Sequence, residues 1–183
     1  MGTIAITSLA KLDRALERFK PRYLISLLDP FAMIEHCPLI LPREHLRLEC
    51  FDTLAVSSQP GYPNDDLATR LLEFWECTDP KHRVLIHCVA GVSRAPAAAI
   101  ILAAFSNPGQ EELVVKIASE ILPHALPNPR VIEAGDRVMR YEGRLVAATR
   151  AMSKPTKEDF ENDFVAFPSD RLNMGRRPRS WIR

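Results

Sequence analysis

The run His87-Cys88-Val89-Ala90-Gly91-Val92-Ser93-Arg94 brings a thiol, a glycine, a hydroxyl and a guanidinium into one tight segment. These groups suit the capture of a phosphate dianion and a nucleophilic attack on it. The run follows Val84-Leu85-Ile86, an apolar stretch that reads as a buried strand. It precedes Ala95-Pro96-Ala97-Ala98-Ala99-Ile100-Ile101-Leu102, which reads as a helix. A loop so placed faces the first turn of a helix, where backbone N–H groups lack partners and the dipole is positive. An anion answers both needs. Gly91 lets the chain curl so that the amides of Val89, Ala90, Gly91, Val92, Ser93 and Arg94 turn inward as a phosphate-binding nest. Pro96 sits early enough in the helix to lose no useful donor. Arg94 can grip two phosphate oxygens with its planar fork, a geometry that lysine does not reproduce.

Inward dipoles, the helix terminus and Arg94 all favour the thiolate form of Cys88, the form that acts as a nucleophile. Ser93 can donate its hydroxyl to the sulfur and ease departure of the thiolate when a phosphocysteine is hydrolysed. Serine also caps helices, and the sequence permits both roles for Ser93. His87 is expected to order the loop by hydrogen bonding to its backbone. Taken singly, Cys88 reads as a small buried hydrophobe and His87 as a satisfied core histidine. Only their joint spacing with Arg94 points to chemistry.

His87-Cys88-x5-Arg94 followed by Ala95 resembles the signature of the cysteine-dependent protein tyrosine phosphatase superfamily, and within it the dual-specificity branch. The resemblance implies an α/β fold: a single domain with a central, mostly parallel sheet flanked by helices. It implies that Cys88 attacks phosphorus, that Arg94 binds the phosphoryl oxygens, and that an aspartate on a separate upstream loop protonates the leaving oxygen. The order of elements agrees across roughly residues 20 to 145: a strand Tyr23–Leu28, an aspartate loop, a helix, then the signature strand and loop.

Asp52 is the favoured acid. It ends the run His45-Leu46-Arg47-Leu48-Glu49-Cys50-Phe51, whose alternating leucines suggest a strand feeding a loop. A helix from Asp66 to Trp75 fits between that loop and the signature strand. Asp65 and Asp66 compete for the role, although Asn64-Asp65-Asp66 after Pro63 also reads as a helix N-terminus. Asp52 itself could simply cap a turn. Pro60-Gly61-Tyr62-Pro63 makes this loop longer than a minimal dual-specificity enzyme needs.

The elements that hold these residues read as one scaffold. A chain of 183 residues with 46% hydrophobic content can bury one sizeable core, so a catalytic domain over residues 1–148 is expected. Ser8 is expected to cap a helix whose apolar face is Leu9, Leu12, Leu16 and Phe19. Leu113 to Leu122 has helical periodicity, three prolines then forbid regular helix over Pro123–Pro129, and Val131 to Met139 reads as another helix. Asn128 resembles part of a Pro-Asn pair found downstream of the signature in related phosphatases, which implies a positioning role. Residues 149–183 read as an extension, docked or partly disordered. Phe160, Phe164, Phe167 and Trp181 argue for docking, while Arg176-Arg177-Pro178-Arg179 reads as a solvated basic end.

The net charge of +1 provides no broad basic field for a nucleic-acid partner. Neither a signal peptide nor a membrane span is evident, and Ile6 rules out a myristoylation site at Met1-Gly2. Cys37, Cys50, Cys77 and Cys88 form neither a disulfide framework nor a CxxC metal pair, which fits a reducing cytoplasm. Cys50 could trap an oxidised Cys88 as a disulfide, but a buried structural role is the simpler reading.

The expected activity is a metal-free, cofactor-free phosphomonoesterase passing through a phosphocysteine. Its expected partner is a phosphorylated protein or a small phosphomonoester. Phosphoinositide phosphatases of the superfamily carry basic residues inside the loop, and this loop has none between Cys88 and Arg94. Two alternatives remain: a catalytically weak phosphate-recognition module, and a sulfurtransferase of the rhodanese type, whose cysteine also opens an anion-binding loop.

Overall fold

The computed structural model describes residues 3–35, 37–152, 163–168 and 171–173. Short runs rich in Ile, Leu and Val form five strands: β1 (Ile4–Ser8), β2 (Tyr23–Leu28), β3 (His45–Glu49), β4 (Val84–Cys88) and β5 (Val165–Ala166). They make one sheet in the order β3-β2-β4-β1-β5. The first four strands run parallel, and only β5 is antiparallel to its neighbour. Residues alternate between the two faces, and β1, β2 and β4 are almost wholly buried because helices cover both sides. This is the expected mostly parallel α/β domain.

Among the described residues there are six α-helices: α1 (Leu12–Phe19), α2 (Asp65–Cys77), α3 (Arg94–Ser106), α4 (Glu111–Ile121), α5 (Pro129–Val138) and α6 (Arg144–Arg150). Helix α1 packs Leu12, Ala15, Leu16 and Phe19 on Ala5, Leu24 and Leu85 of one sheet face. The remaining helices share the opposite core with Ile4, Ile6, Ile25, Leu27, Val84 and Ile86. At the centre lies α3, buried along its whole length, as a helix apolar on every side must be. Helix α5 approaches it closely at Gly135, where a Cβ would come within 2.6 Å of Ile101 Cγ1 and Cδ1.

Several local expectations are refined. Ser8 caps no helix; it ends β1, paired with Cys88, and a 3-10 turn over Leu9–Lys11 leads into α1. Burying Ile4 and Ile6 in the middle of the sheet outweighs what a cap contributes. Helix α2 begins one residue before Asp66, and Asn64 is its cap, accepting from Leu67 N–H at 2.9 Å. Helix α6 was not anticipated. Its first turn is held by the buried Asp136 carboxylate, which accepts from Gly143, Leu145 and Val146 N–H.

The described part of the C-terminal extension is built into the core. Strand β5 pairs with β1, Phe167 N–H donates to Ile4 O at 2.8 Å, and Phe167 and Leu172 are buried. Phe164 packs on Phe19 with centroids 4.9 Å apart. Phe160, Trp181 and the arginines Arg176, Arg177 and Arg179 lie outside the described residues. Among those described, no helix is long and apolar enough to cross a membrane.

Phe167→Ala should therefore cost about 3 kcal/mol or more, measured by urea unfolding, because it empties a filled core position. An unchanged midpoint would show that this segment is not part of the cooperative core.

Candidate active site

Parallel strands bring their C-terminal ends together, and loops leaving those ends form the usual site of an α/β sheet. Here Asp29 follows β2, Cys50 to Asp52 follow β3, and Cys88 ends β4. Cys88 is buried, with 1% exposure, and Arg94 opens α3 at 3% exposure.

The loop between them is held from outside. Val89 O accepts from Leu9 N–H, Val92 O from Leu126 N–H, and Ser93 O from Asn128 and Ala97 N–H. In a planar trans peptide the carbonyl and the following N–H point in opposite directions. Outward carbonyls at Val89, Val92 and Ser93 therefore turn the N–H groups of Ala90, Ser93 and Arg94 inward. Gly91, at φ +76°, makes the reversal, and its N–H donates to Cys88 Sγ at 3.2 Å. This loop is thus an amide-lined concavity around the sulfur.

Arg94 is a nearly buried cation that needs compensation. Its Nη1 donates to Asp29 Oδ2 at 3.2 Å and to Cys50 O. Its Nε lies 3.8 Å from Asp52 Oδ2 and has no hydrogen-bond partner among the described residues. Asp29 was not singled out in the sequence; the available signal was an acidic residue directly after a buried parallel strand.

Asp52 meets the loop as well. Its Oδ1 accepts from the Ser93 hydroxyl at 2.7 Å and from Asn128 Nδ2 at 2.8 Å, while the side chain keeps 40% exposure. Ser93 thus donates to the Asp52 carboxyl oxygen here and not to the sulfur. It makes no side-chain cap on α3. Asn128 has two tasks. Its Oδ1 caps α5 by accepting from Arg130 and Val131 N–H, and its Nδ2 holds Asp52 and Thr53 O. Asp65 is placed elsewhere, paired with Arg137 at 2.6 Å, and Asp66 stands in the first turn of α2.

His87 Nε2 lies 2.6 Å from Ser26 Oγ, and that hydroxyl is 2.8 Å from His45 Nε2. The other His87 nitrogen, Nδ1, is buried without a full hydrogen bond. Burial, then the neighbouring His45, lowers the His87 pKa to about 4. Burial likewise pushes the Cys50 thiol up to about 12, which makes it a poor attacking group for a disulfide with Cys88. Among the described residues no group of three or more His, Cys, Asp or Glu side chains is placed to hold a metal ion.

No family model and no curated protein matches the chain. Solved structures do. The Cydia pomonella PTP-2 phosphatase aligns with a TM-score of 0.55 at 19% identity, over 72% of this chain and 82% of its own. PTPMT1 in complex with PI(5)P aligns at 0.53 and 16% identity, over 79% and 93% of the two chains. PTPMT1 in a further structure aligns at 0.51 and 16%, over 81% and 94%. The fold is that of the protein tyrosine phosphatases, as the resemblance in the loop implied.

The depressed pKa of His87 has a consequence for stability. Between its ordinary value of 6.5 and about 4, the unfolded chain takes up a proton that the folded ring refuses. Stability should fall as the pH drops through that window, by on the order of 3 kcal/mol in total from this group. His87→Gln should flatten the profile of unfolding free energy there. The same slope in both proteins would show that the ring does not titrate as described.

Proposed function

We propose that this protein is a cysteine-dependent phosphomonoesterase of the dual-specificity type, acting on phosphotyrosine with broad tolerance through a phosphocysteine intermediate. The observation that carries the reading is the placement of Asp52. A carboxylate from another loop lies over the amide-lined turn, bonded to Ser93 and 3.8 Å from the Arg94 guanidinium. Nucleophile, phosphoryl clamp and proton donor then sit at one mouth. A persulfide carrier has no use for such an acid.

In this reading the Cys88 thiolate attacks phosphorus in line while the bond to the leaving oxygen breaks. Arg94 and the inward amides of Ala90, Ser93 and Arg94 hold the equatorial oxygens as charge develops on them. Val89, Gly91 and Val92 shape the same turn, and His87 orders it from behind. Protonated Asp52 donates to the departing oxygen and is left ionised. It next takes a proton from water, which attacks the phosphocysteine and releases phosphate and the thiolate. Rotation of the Ser93 hydroxyl from Asp52 to the sulfur would favour that release.

The mouth supports one substrate class. Around the loop, Phe31, Leu54, Val56, Val89 and Leu126 are exposed apolar side chains, Phe31 by 86%. Nearby arginines are already paired, Arg130 with Glu133 and Arg137 with Asp65. Among the described residues, an apolar rim whose neighbouring arginines are ion-paired suits an aromatic ring bearing one phosphate. PTPMT1 has been solved with PI(5)P. Among the described residues the loop adds no cation besides Arg94, and the nearby arginines are engaged with carboxylates, which favours phosphotyrosine peptides over phosphoinositides and small phosphomonoesters.

Wild-type protein, with reductant and without added metal, should release phosphate from p-nitrophenyl phosphate and from a phosphotyrosine peptide. Cys88→Ser should abolish turnover yet still bind the peptide. An inactive wild type that binds the peptide would make this a recognition module. Asp52→Ala should slow turnover of phenyl phosphate by about 100-fold or more, and activated esters less. Equal rates for a poor leaving group in wild type and Asp52→Ala would remove Asp52 from the role. Asn128→Asp keeps the α5 cap acceptor but sets a second carboxylate against Asp52. It should lower kcat with a smaller change in thermal midpoint than Asn128→Ala, which loses about 1 kcal/mol of capping; the reverse order would confine Asn128 to capping.

A further inference from the structure

Beneath the loop, on the α1 side of the sheet, adjacent strands β3, β2 and β4 set His45, Ser26 and His87 on one face: Ser26 pairs with His87, and His45 stands diagonally across, opposite Leu24. They continue the face carrying Leu24 and Leu85. All three are buried, Ser26 and His87 completely. A polar cluster in an apolar layer is costly unless its members satisfy one another.

The bonds run in one direction. Cys37 N–H donates to His45 Nδ1 at 3.4 Å, so in the neutral ring the proton is on Nε2. His45 Nε2–H then donates to Ser26 Oγ at 2.8 Å. The single hydroxyl proton of Ser26 goes to His87 Nε2, 2.6 Å away. That makes Nε2 of His87 an acceptor and leaves the ring proton on Nδ1. Nδ1 lies against the Cys88 backbone, in a contact that falls short of full hydrogen-bond geometry.

We propose that Ser26 and His45 are positioning residues for the Cys88 loop, through a one-directional hydrogen-bond chain that fixes His87 as the Nδ1–H tautomer facing the Cys88 backbone. Neither residue touches substrate. Their action is to decide which nitrogen of His87 is the donor and to hold the ring's plane, so that the start of the loop has one conformation. The low pKa of His87, about 4, keeps a single proton on the ring at neutral pH, as the chain requires. The importance of the chain to catalysis rests on the phosphomonoesterase reading of Cys88; its geometry does not.

Tautomers can be read directly from long-range proton–nitrogen correlation spectra of the full chain labelled with 15N-histidine. The expected result is His87 protonated on Nδ1 and His45 on Nε2. Ser26→Ala should loosen the His87 tautomer and lower kcat about tenfold or more, with KM changed less than about twofold, because only alignment is lost. His45→Leu should loosen the same tautomer. A wild-type His87 carrying its proton on Nε2 would overturn the proposal, as would Ser26→Ala with the wild-type tautomer and kcat. If Ser26→Ala does not fold, the wild-type spectrum still decides. A wild type that hydrolyses no phosphomonoester defeats the reading of Cys88, whereas the tautomers judge the chain itself.

Discussion

A guanidinium with 3% exposure is the constraint around which this molecule is arranged. Burying a cation is costly unless fixed acceptors replace its water. Two loops supply them: Asp29 after β2, and the Cys50 carbonyl and Asp52 after β3. These groups are far apart in the chain and meet because parallel strands end on one edge. Arg94 at the first position of α3 is brought to the same edge by the strand-loop-helix unit that carries Cys88. The parallel topology and the placement of the site are therefore one fact.

The apolar interior makes that arrangement stiff. Helix α3 is buried on every side, and α5 meets it at Gly135 with no room for a Cβ. The start of α3 cannot shift without disturbing the whole core, so the loop that precedes it is anchored at its far end. Its near end is anchored by β4, which lies between β1 and β2. Its outer side is tied by Leu9, Leu126 and Asn128 N–H. Amides held this way are oriented before any anion arrives, which is the condition for electrostatic stabilisation without reorganisation.

How much of this was legible depended on whether the signal was local. The loop announced itself because its functional groups are consecutive, and β2, α2, α4 and α5 were legible because periodicity and caps are local too. Strand β1 was hidden: five residues carry little pattern, and Ser8 followed by a helical stripe imitated a cap. Strand β5 has two residues and exists only by pairing with β1. The partners of the site escaped for a similar reason. Asp29, Ser26 and His45 are ordinary residues in sequence, and their roles arise from register across strands that no single segment encodes. Asp52 drew notice because the resemblance implies an acid upstream and because it ends the alternating run from His45; the hydrogen bond by which Ser93 holds it was not legible.

Asp29 and Asp52 both face Arg94, yet they are not equivalent. Asp29 is less exposed and hydrogen-bonded to Nη1, on the side where the Cys50 carbonyl also binds. Asp52 is more exposed, stands 3.8 Å from Nε, and owes its position to Ser93 and Asn128 more than to the guanidinium. In the proposed reading, a phosphate entering the amide nest would compete with the more exposed Asp52 and leave Asp29 in place. On that reading Asp29 would go on facing the guanidinium while Asp52 exchanges Ser93 for a leaving oxygen. Placing one acid deep and bonded, and the other shallow and shared, would let a buried arginine keep a fixed partner through the proposed cycle, in which its other neighbour must gain and lose a proton.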